Sequence, residues 1–201
     1  HNYTASYTLS LHDALPISIR GQAYNADGTA RGAEFLVNTT TENFQGTPSV
    51  AKLSDGGFIA TWTDFSRTGM DTSSSAIRGR AFNADGTARS DEVVVNTTTA
   101  DSQSFPSVTG LSDGGFVAVW TDNSQTGADT SGGLFGRDIG AIRGQAYNPN
   151  GTARGDEFLV NTTTEDGQNN PDVTGLSDGG FAVIWEDRSD TGADTSSTAI
   201  R

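Results

Sequence analysis

A five-residue apolar segment that ends in tryptophan occurs three times along the chain. The three segments are Phe58–Trp62, Phe116–Trp120 and Phe181–Trp185. Alternate residues of a strand point to opposite faces of its sheet, so a sheet with one wet face shows a polar residue at every second position. The almost continuous apolar pattern predicts strands that are packed on both faces.

These segments belong to a longer tandem repeat. The dipeptide Ile-Arg begins at positions 19, 77, 142 and 200, so successive copies start 58, 65 and 58 residues apart. Repeats of this size are typical of units that bury their apolar faces only against neighbouring copies. We divide the chain into repeats at 19–76, 77–141 and 142–199, followed by the start of a fourth, and treat 19–201 as one repeat β domain.

Each copy contains four strand-like segments separated by turn signals. One set comprises Pro48–Leu53, Phe58–Trp62, Ile77–Phe82 and Glu92–Asn96. The turns contain Asp-Gly, which suits the positive φ angles of tight hairpins. The pattern predicts an all-β fold of tandem four-stranded antiparallel units, forming a partial β-propeller arc of about three blades. The alternative is an array of β-sandwich-like repeats, whose inner strands are also covered on both faces.

The beginning of the chain differs from the repeats. Thr8–Ser18 reads as a translated sequencing adapter, and we interpret residues 1–18 as a scar without a structural role. Both histidines, His1 and His12, lie within it. Because the end of the sequence opens a fourth copy, we expect the chain to be a piece of a longer protein.

Composition narrows the function further. The chain has 25 acidic residues against 12 basic ones, only one lysine and no cysteine. A net charge of −13 argues against binding to nucleic acid, which needs clustered basic residues. No apolar run is long enough for membrane insertion. The repeats contain no histidine and no cysteine, and they spread the same residues evenly, so we expect a protein that is not an enzyme.

Several repeated motifs resemble those of a known group of proteins. The motifs are SDGGFxxxW, IRGQAYNADGTARGxEFLVNT and a following loop rich in Asp, Thr and Ser. They resemble the tandem repeats of large secreted bacterial proteins that often carry haemolysin-type (RTX) calcium-binding segments, and they are similar to short β-propeller repeats. The resemblance covers 19–201 and implies an extracellular or cell-surface module with a scaffold or adhesive role. The glycine-rich nonapeptide of an RTX calcium roll is not present in the sequence.

The loop after each tryptophan is the candidate metal site, with the pattern Asp-x-Ser-x-Thr-Gly-x-Asp. Oxygen-bearing side chains at alternate positions can converge on calcium, and the glycine permits a sharp turn. The candidate ligands are Asp64, Ser66, Thr68 and Asp71, then Asp122, Ser124, Thr126 and Asp129, then Asp187, Ser189, Thr191 and Asp194. The same residue types are common in polar turns, so calcium sites and plain turns both stay open.

The sequence therefore predicts a non-catalytic, extracellular repeat module of a large bacterial surface or secreted protein, which serves adhesion or interaction. Its expected partners are an unidentified protein or glycan and neighbouring repeats of a longer parent chain, with calcium as a stabilising ligand. The alternative is a carbohydrate-binding propeller, a lectin or a glycosidase, with Trp62, Trp120 and Trp185 in clefts between blades. A tryptophan in an apolar strand is also a common core residue. The acidic pairs Asp91–Glu92 and Asp156–Glu157 are interpreted as exposed charges at strand edges.

Overall fold

The computed structural model describes residues 18–127, 140–189 and 199–200. Within these residues the regular structure is entirely β, and no helix is present that could cross a membrane. The strands are β1 (Arg20–Tyr24), β2 (Ala30–Leu36), β3 (Gln45–Lys52), β4 (Phe58–Asp64), β5 (Ala76–Phe82), β6 (Val93–Val94), β7 (Gln103–Gly110), β8 (Phe116–Asp122), β9 (Ala141–Tyr147), β10 (Ala153–Leu159), β11 (Gln168–Gly175), β12 (Phe181–Asp187) and β13 (Ala199–Ile200).

The strands form four antiparallel sheets. Two are four-stranded, in the orders β3-β4-β5-β6 and β7-β8-β9-β10, and they are accompanied by the three-stranded sheet β11-β12-β13 and the hairpin β1-β2. The predicted all-β fold of tandem four-stranded units is confirmed. The sheets other than the hairpin combine two sequence repeats. In the first four-stranded sheet, β3 and β4 precede the Ile-Arg-Gly motif at position 77, β5 contains it and β6 follows it.

The sheets are joined through their first strands, because β3 lies beside β7 and β7 lies beside β11. A backbone amide donates to a serine side chain across each of these two contacts. The amide of Val108 donates to Ser49 Oγ at 3.2 Å, and the amide of Val173 donates to Ser107 Oγ at 3.2 Å. Sheets that fan out from neighbouring first strands correspond to a partial propeller arc.

Glycine allows these first strands to approach closely. A Cβ atom at Gly110 would overlap the carbonyl oxygen of Lys52, and a Cβ at Gly175 would lie 2.8 Å from the carbonyl oxygen of Gly110. Real Cβ atoms do not approach backbone oxygen this closely, so larger residues would push the sheets apart. The spacing of the sheets therefore depends on glycine at these two positions.

The prediction that the tryptophan-ending strands are packed on both faces is confirmed for the middle sheet. Every residue of β8 is buried, and Trp62 and Trp120 are fully buried. The prediction is wrong for β12, in which Ile184 is 53% exposed although the equivalent Val119 is fully buried. The difference arises because another sheet covers β8 from each side, whereas none of the described strands covers the outer face of β12.

Equivalent residues at the two ends of the stack show the same contrast. Leu53 and Leu111 are 2% and 6% exposed, while the equivalent Leu176 is 45% exposed. At the opposite end, Val50 is 67% exposed although the equivalent Val108 is buried. The described part of the chain thus presents one uncovered apolar face at each end.

Candidate functional site in the loops after the tryptophans

The first loop follows directly from β4, whose last residue, Asp64, is buried. The amide of Ser66 donates to Asp64 Oδ1 at 3.2 Å, and the hydroxyl of Ser66 donates to Asp64 Oδ2 at 2.6 Å. The hydroxyls of Ser66 and Thr68 lie 2.8 Å apart. The chain reverses at Gly69, whose φ is 85°. The first, third and fifth positions of the predicted metal loop therefore do come together.

A guanidinium group occupies the centre of this loop. Arg78 Nε donates to Asp64 Oδ2 at 2.6 Å, and Arg78 Nη2 donates to the carbonyl oxygen of Thr68 at 2.6 Å. The register of β4 and β5 places Arg78 opposite Trp62, which brings the side chain to the loop. Charge-assisted bonds of this kind are about twice as strong as neutral ones. The positive charge beside these loop oxygens is therefore supplied by an arginine of the same chain.

The second loop repeats the arrangement. Arg143 Nε donates to Asp122 Oδ2 at 2.7 Å, Arg143 Nη2 donates to the carbonyl oxygen of Thr126, and the hydroxyl of Ser124 donates to Asp122 Oδ2 at 2.6 Å. A Cβ at Gly127 would lie 3.2 Å from Arg143 Nη2. The loop glycine therefore provides both the positive φ and the room for the guanidinium.

A glutamate connects each arginine to the preceding sheet. Arg78 Nη1 donates to Glu92 Oε1 at 3.0 Å, and Glu92 Oε2 accepts the amides of Thr39 at 2.6 Å and Thr40 at 3.2 Å. Thr39 and Thr40 follow β2, in the sheet before the one that contains Arg78. The carboxylate therefore bridges two successive sheets.

Glu157 has the same role at the next junction. It accepts a bond from Arg143 Nη1 at 3.3 Å, and its Oε2 accepts the amides of Thr97 at 2.8 Å and Thr98 at 3.0 Å. The interpretation of the acidic pairs as exposed charges is wrong for Glu157 and for Glu92, whose side chains are each only 4% exposed. The two aspartates of the pairs do stay exposed. The sequence pattern shows no partner for the glutamates, because the threonines lie one repeat away.

The environment keeps both glutamates ionised. Burial acts to raise the pKa of Glu92, but hydrogen bonds from Thr40 and Thr39 outweigh it and hold the pKa below its ordinary value of 4.5. Burial also acts to raise the pKa of Glu157, but hydrogen bonds from Thr98 and Thr97 outweigh this effect and lower the pKa. At neutral pH each arginine therefore bonds to a glutamate that carries charge.

Asp71, the last predicted ligand of the first loop, bonds to Ser73 and Asn96. Asp71 Oδ1 accepts the amide of Ser73 at 3.0 Å, and Asp71 Oδ2 accepts a bond from Asn96 Nδ2 at 2.9 Å. Asn96 Oδ1 in turn accepts the amide of Ile77 at 2.8 Å. Asp71 therefore helps to position the start of β5. Among the described residues, no group of three or more His, Cys, Asp or Glu side chains is arranged to hold a metal ion.

The third loop is described only at its beginning. Asp187 Oδ1 accepts the amide of Ser189 at 2.8 Å, as the equivalent aspartates do in the other loops. Thr191 and Asp194, together with Asp129 of the second loop, lie outside the described residues. The calcium prediction is untested at every candidate ligand, so it stays a prediction.

Sequence reasoning missed a buried polar relay that supports each loop. Asn38 Oδ1 accepts the amide of Ile19 at 2.8 Å, Asn38 Nδ2 donates to Gln45 Oε1 at 3.4 Å, and Gln45 Nε2 donates to Asp64 Oδ1 at 3.1 Å. The same relay recurs at two further junctions, through Asn96, Gln103 and Asp122 and through Asn161, Gln168 and Asp187. The available signal was the recurrence of asparagine, glutamine and arginine at fixed places beside apolar strands.

The tryptophans proposed as cleft residues are core residues in the first two copies. Trp62 packs with Ile19, Val37 and Phe82, and Trp120 packs in the cluster between the two four-stranded sheets. Only Trp185, in β12, is partly exposed. Neither of the first two side chains is available to stack on a sugar.

Comparison of the chain with protein-family models and with curated protein sequences finds no match.

Proposed function

We propose that this chain is a non-catalytic repeat module of a larger secreted or cell-surface protein, and that it serves adhesion or interaction as a rigid scaffold. The observation that carries the proposal is the junction network, which uses the same arginine, aspartate and glutamate at two successive junctions. These charged groups hold neighbouring sheets in register. A catalytic site instead needs different groups that converge on one accessible pocket.

The uncovered end of the stack supports a role within a longer array. Leu176 and Ile184 are exposed on the outer face of the third sheet, although their equivalents in the first two sheets are buried by the next sheet. Burial of apolar surface contributes about 25 cal/mol per Å². We infer that a further repeat of the parent chain covers this face.

Calcium has a narrower proposed role than the sequence pattern indicates. An ion at the first or second loop would have to displace Arg78 or Arg143 from the oxygens that it would need. The proposed ligand of those loops is therefore the arginine. Calcium is retained as a proposed ligand of the third loop, through Asp187 and Ser189 together with Thr191 and Asp194.

The proposals of a bacterial source and an extracellular location rest on the acidic, cysteine-free composition and on the repeat motifs. Partners are proposed to be a protein or glycan bound by the loops that the sheets hold in place. The carbohydrate-binding alternative now depends on Trp185, since the other two tryptophans are buried.

The proposal is tested by calorimetric calcium titration of the full chain and of the Arg78→Ala variant, with thermal melting in calcium and in EDTA. We expect the variant to gain calcium-dependent stabilisation that the first loop of the unmodified chain does not have. About three ions bound by the unmodified chain, with a raised Tm, would contradict the arginine role and restore calcium at every loop.

A glycan array probed with the same protein distinguishes the proposed scaffold function from the carbohydrate-binding alternative. We expect Trp185→Ala to leave any glycan binding unchanged. Glycan binding that is lost in Trp185→Ala, with an unchanged Tm, would favour the carbohydrate-binding alternative over the interaction scaffold.

A further inference from the structure

One equivalent position at the three sheet junctions holds a phenylalanine in the first and third copies and a valine in the second. Phe35 follows the first Ile-Arg-Gly motif and Phe158 the third, whereas the second copy has Val93 at the same place. Phe35 is partly buried against the next sheet, with its ring centroid 5.4 Å from that of Phe82 and 6.1 Å from that of Phe58. The second junction therefore has no ring at a place where the other two copies have one.

Two glycines make room for the ring at the first junction. A Cβ at Gly21 would lie 2.5 Å from Phe35 Cζ, and a Cβ at Gly86 would lie 2.5 Å from Phe35 Cε1. Gly21 belongs to the sheet that carries Phe35, and Gly86 belongs to the hairpin turn of the next sheet. The ring is thus held between two backbone segments that both lack side chains.

The equivalent glycines of the second junction, Gly79 and Gly151, are not covered by a ring. A Cβ at Gly79 would first meet Val95 Cγ2 at 3.1 Å, and a Cβ at Gly151 would meet nothing within 4 Å. A groove of about 350 Å³ lies there, lined by Gly79, Gly151, Val93, Phe116 and Tyr147 among others. The space that a phenylalanine ring fills at the first junction is therefore open at the second.

The strand beside the groove is shorter in this copy than in the other two. β6 has two residues, whereas β2 and β10 have seven each. Ser90, which replaces a glycine of the other copies, accepts the amide of Ala81 on its Oγ at 3.0 Å, and Arg80 Nε donates to the carbonyl oxygen of Ser90 at 3.0 Å. These contacts hold the segment before β6 away from a regular ladder and leave the groove open to solvent.

The back wall of the groove is aromatic. Phe116 and Tyr147 are stacked, with ring centroids 4.7 Å apart, and the hydroxyl of Tyr147 donates to the carbonyl oxygen of Val95 at 2.6 Å. This bond fixes the tyrosine ring, so the wall is formed before any ligand arrives. A volume of this size is within the range of small-molecule sites, about 300–1,000 Å³. Enclosed cavities lined by leucine, isoleucine and phenylalanine bind benzene, and this groove offers an aromatic wall with Arg80, Arg89 and Asp91 also in its lining.

We propose that this groove binds a small aromatic molecule, whose ring takes the place that Phe35 occupies at the first junction. The ring lies between Gly79 and Gly151 and against Phe116 and Tyr147. A polar substituent is directed to the open rim, where Ser90 and Asp91 are exposed. This site does not depend on the proposed scaffold function.

Toluene and p-cresol are suitable probes, with methyl NMR spectra and calorimetry of the full chain as the measurements. We expect saturable shifts confined to the methyl groups that line the groove, which belong to Leu53, Ile59, Ala81, Val93 and Val95. The Val93→Phe variant fills the groove with the chain's own ring, so it is expected to weaken probe binding by about tenfold or more and to raise the Tm.

The matched control is Phe35→Val, which creates the same space at the first junction and is expected to add a second probe site. Methyl shifts in the unmodified chain decide the proposal even where a variant fails to fold. The proposal is overturned by an absence of saturable shifts at Val93 and Ala81, or by probe affinity that is unchanged in folded Val93→Phe.

Discussion

Replacement of Arg78 by alanine tests whether the junction network determines stability. The Arg78 side chain is 8% exposed and that of Asp64 is 1% exposed. Alanine at position 78 would leave Asp64 buried without its counter-charge, and Glu92 would lose the same partner. Loss of one partner of a buried ion pair costs about 3–5 kcal/mol. We expect the free energy of unfolding to fall by about that amount.

The chain offers a matched control at the same place of the preceding copy. Arg20 occupies the equivalent position of Ile-Arg-Gly, but its side chain is 65% exposed and lies 4.0 Å from Glu34. Exposed ion pairs contribute about 0–1 kcal/mol. Arg20→Ala removes the same side chain from the same kind of strand, so we expect it to cost less than about 1 kcal/mol.

The assay is urea unfolding followed by tryptophan fluorescence, with the shift in midpoint multiplied by the m-value of the unmodified chain. Adding Asp64→Asn to Arg78→Ala should recover part of the loss, because it removes the unpaired charge. Costs for Arg78→Ala and Arg20→Ala that agree within about 1 kcal/mol would refute the buried network as a source of stability.

Three further perturbations follow from the same structure. Because the pKa of Glu157 is lowered, the stability that its carboxylate contributes is present above about pH 4.5 and is lost as the pH falls through its lower folded pKa. Glu157→Gln should therefore flatten the decline of Tm below about pH 4.5, and an unchanged profile would contradict this. Leu53→Ala should cost about 2–5 kcal/mol in urea unfolding and Leu176→Ala less than about 1 kcal/mol, since only Leu53 is buried; equal costs would mean that Leu176 is covered in solution. Gly110→Ala should lower the stability by about 1–3 kcal/mol because its Cβ meets the Lys52 carbonyl, and an unchanged urea midpoint would show that the sheets can separate freely.

The elements of the fold were predictable because their signals are local. The segment Phe58–Trp62 was predicted from its apolar pattern and lies within β4, and the segment Ile77–Phe82 lies within β5. The turn at Asn83 forms as its Asp-Gly pair predicts, with Gly86 at a φ of 87°. The fourth segment, Glu92–Asn96, was predicted too long. Glu92 accepts the amide of Thr39 in the neighbouring sheet, and Asn96 accepts the amide of Ile77 in β5 through its side chain and not through a backbone ladder.

The sequence by itself determined the repeat, the all-β class and the grouping of Asp64, Ser66 and Thr68, since hydrophobic periodicity and turn chemistry act over a few residues. Only the tertiary structure decided what fills that loop. Arg78 reaches Asp64 because β5 pairs with β4, and Glu92 reaches Thr39 because one sheet packs on the next. Such contacts join residues that are far apart in sequence. No local pattern distinguishes a loop that binds a metal ion from one that binds an arginine of the same protein, because both present the same oxygen atoms.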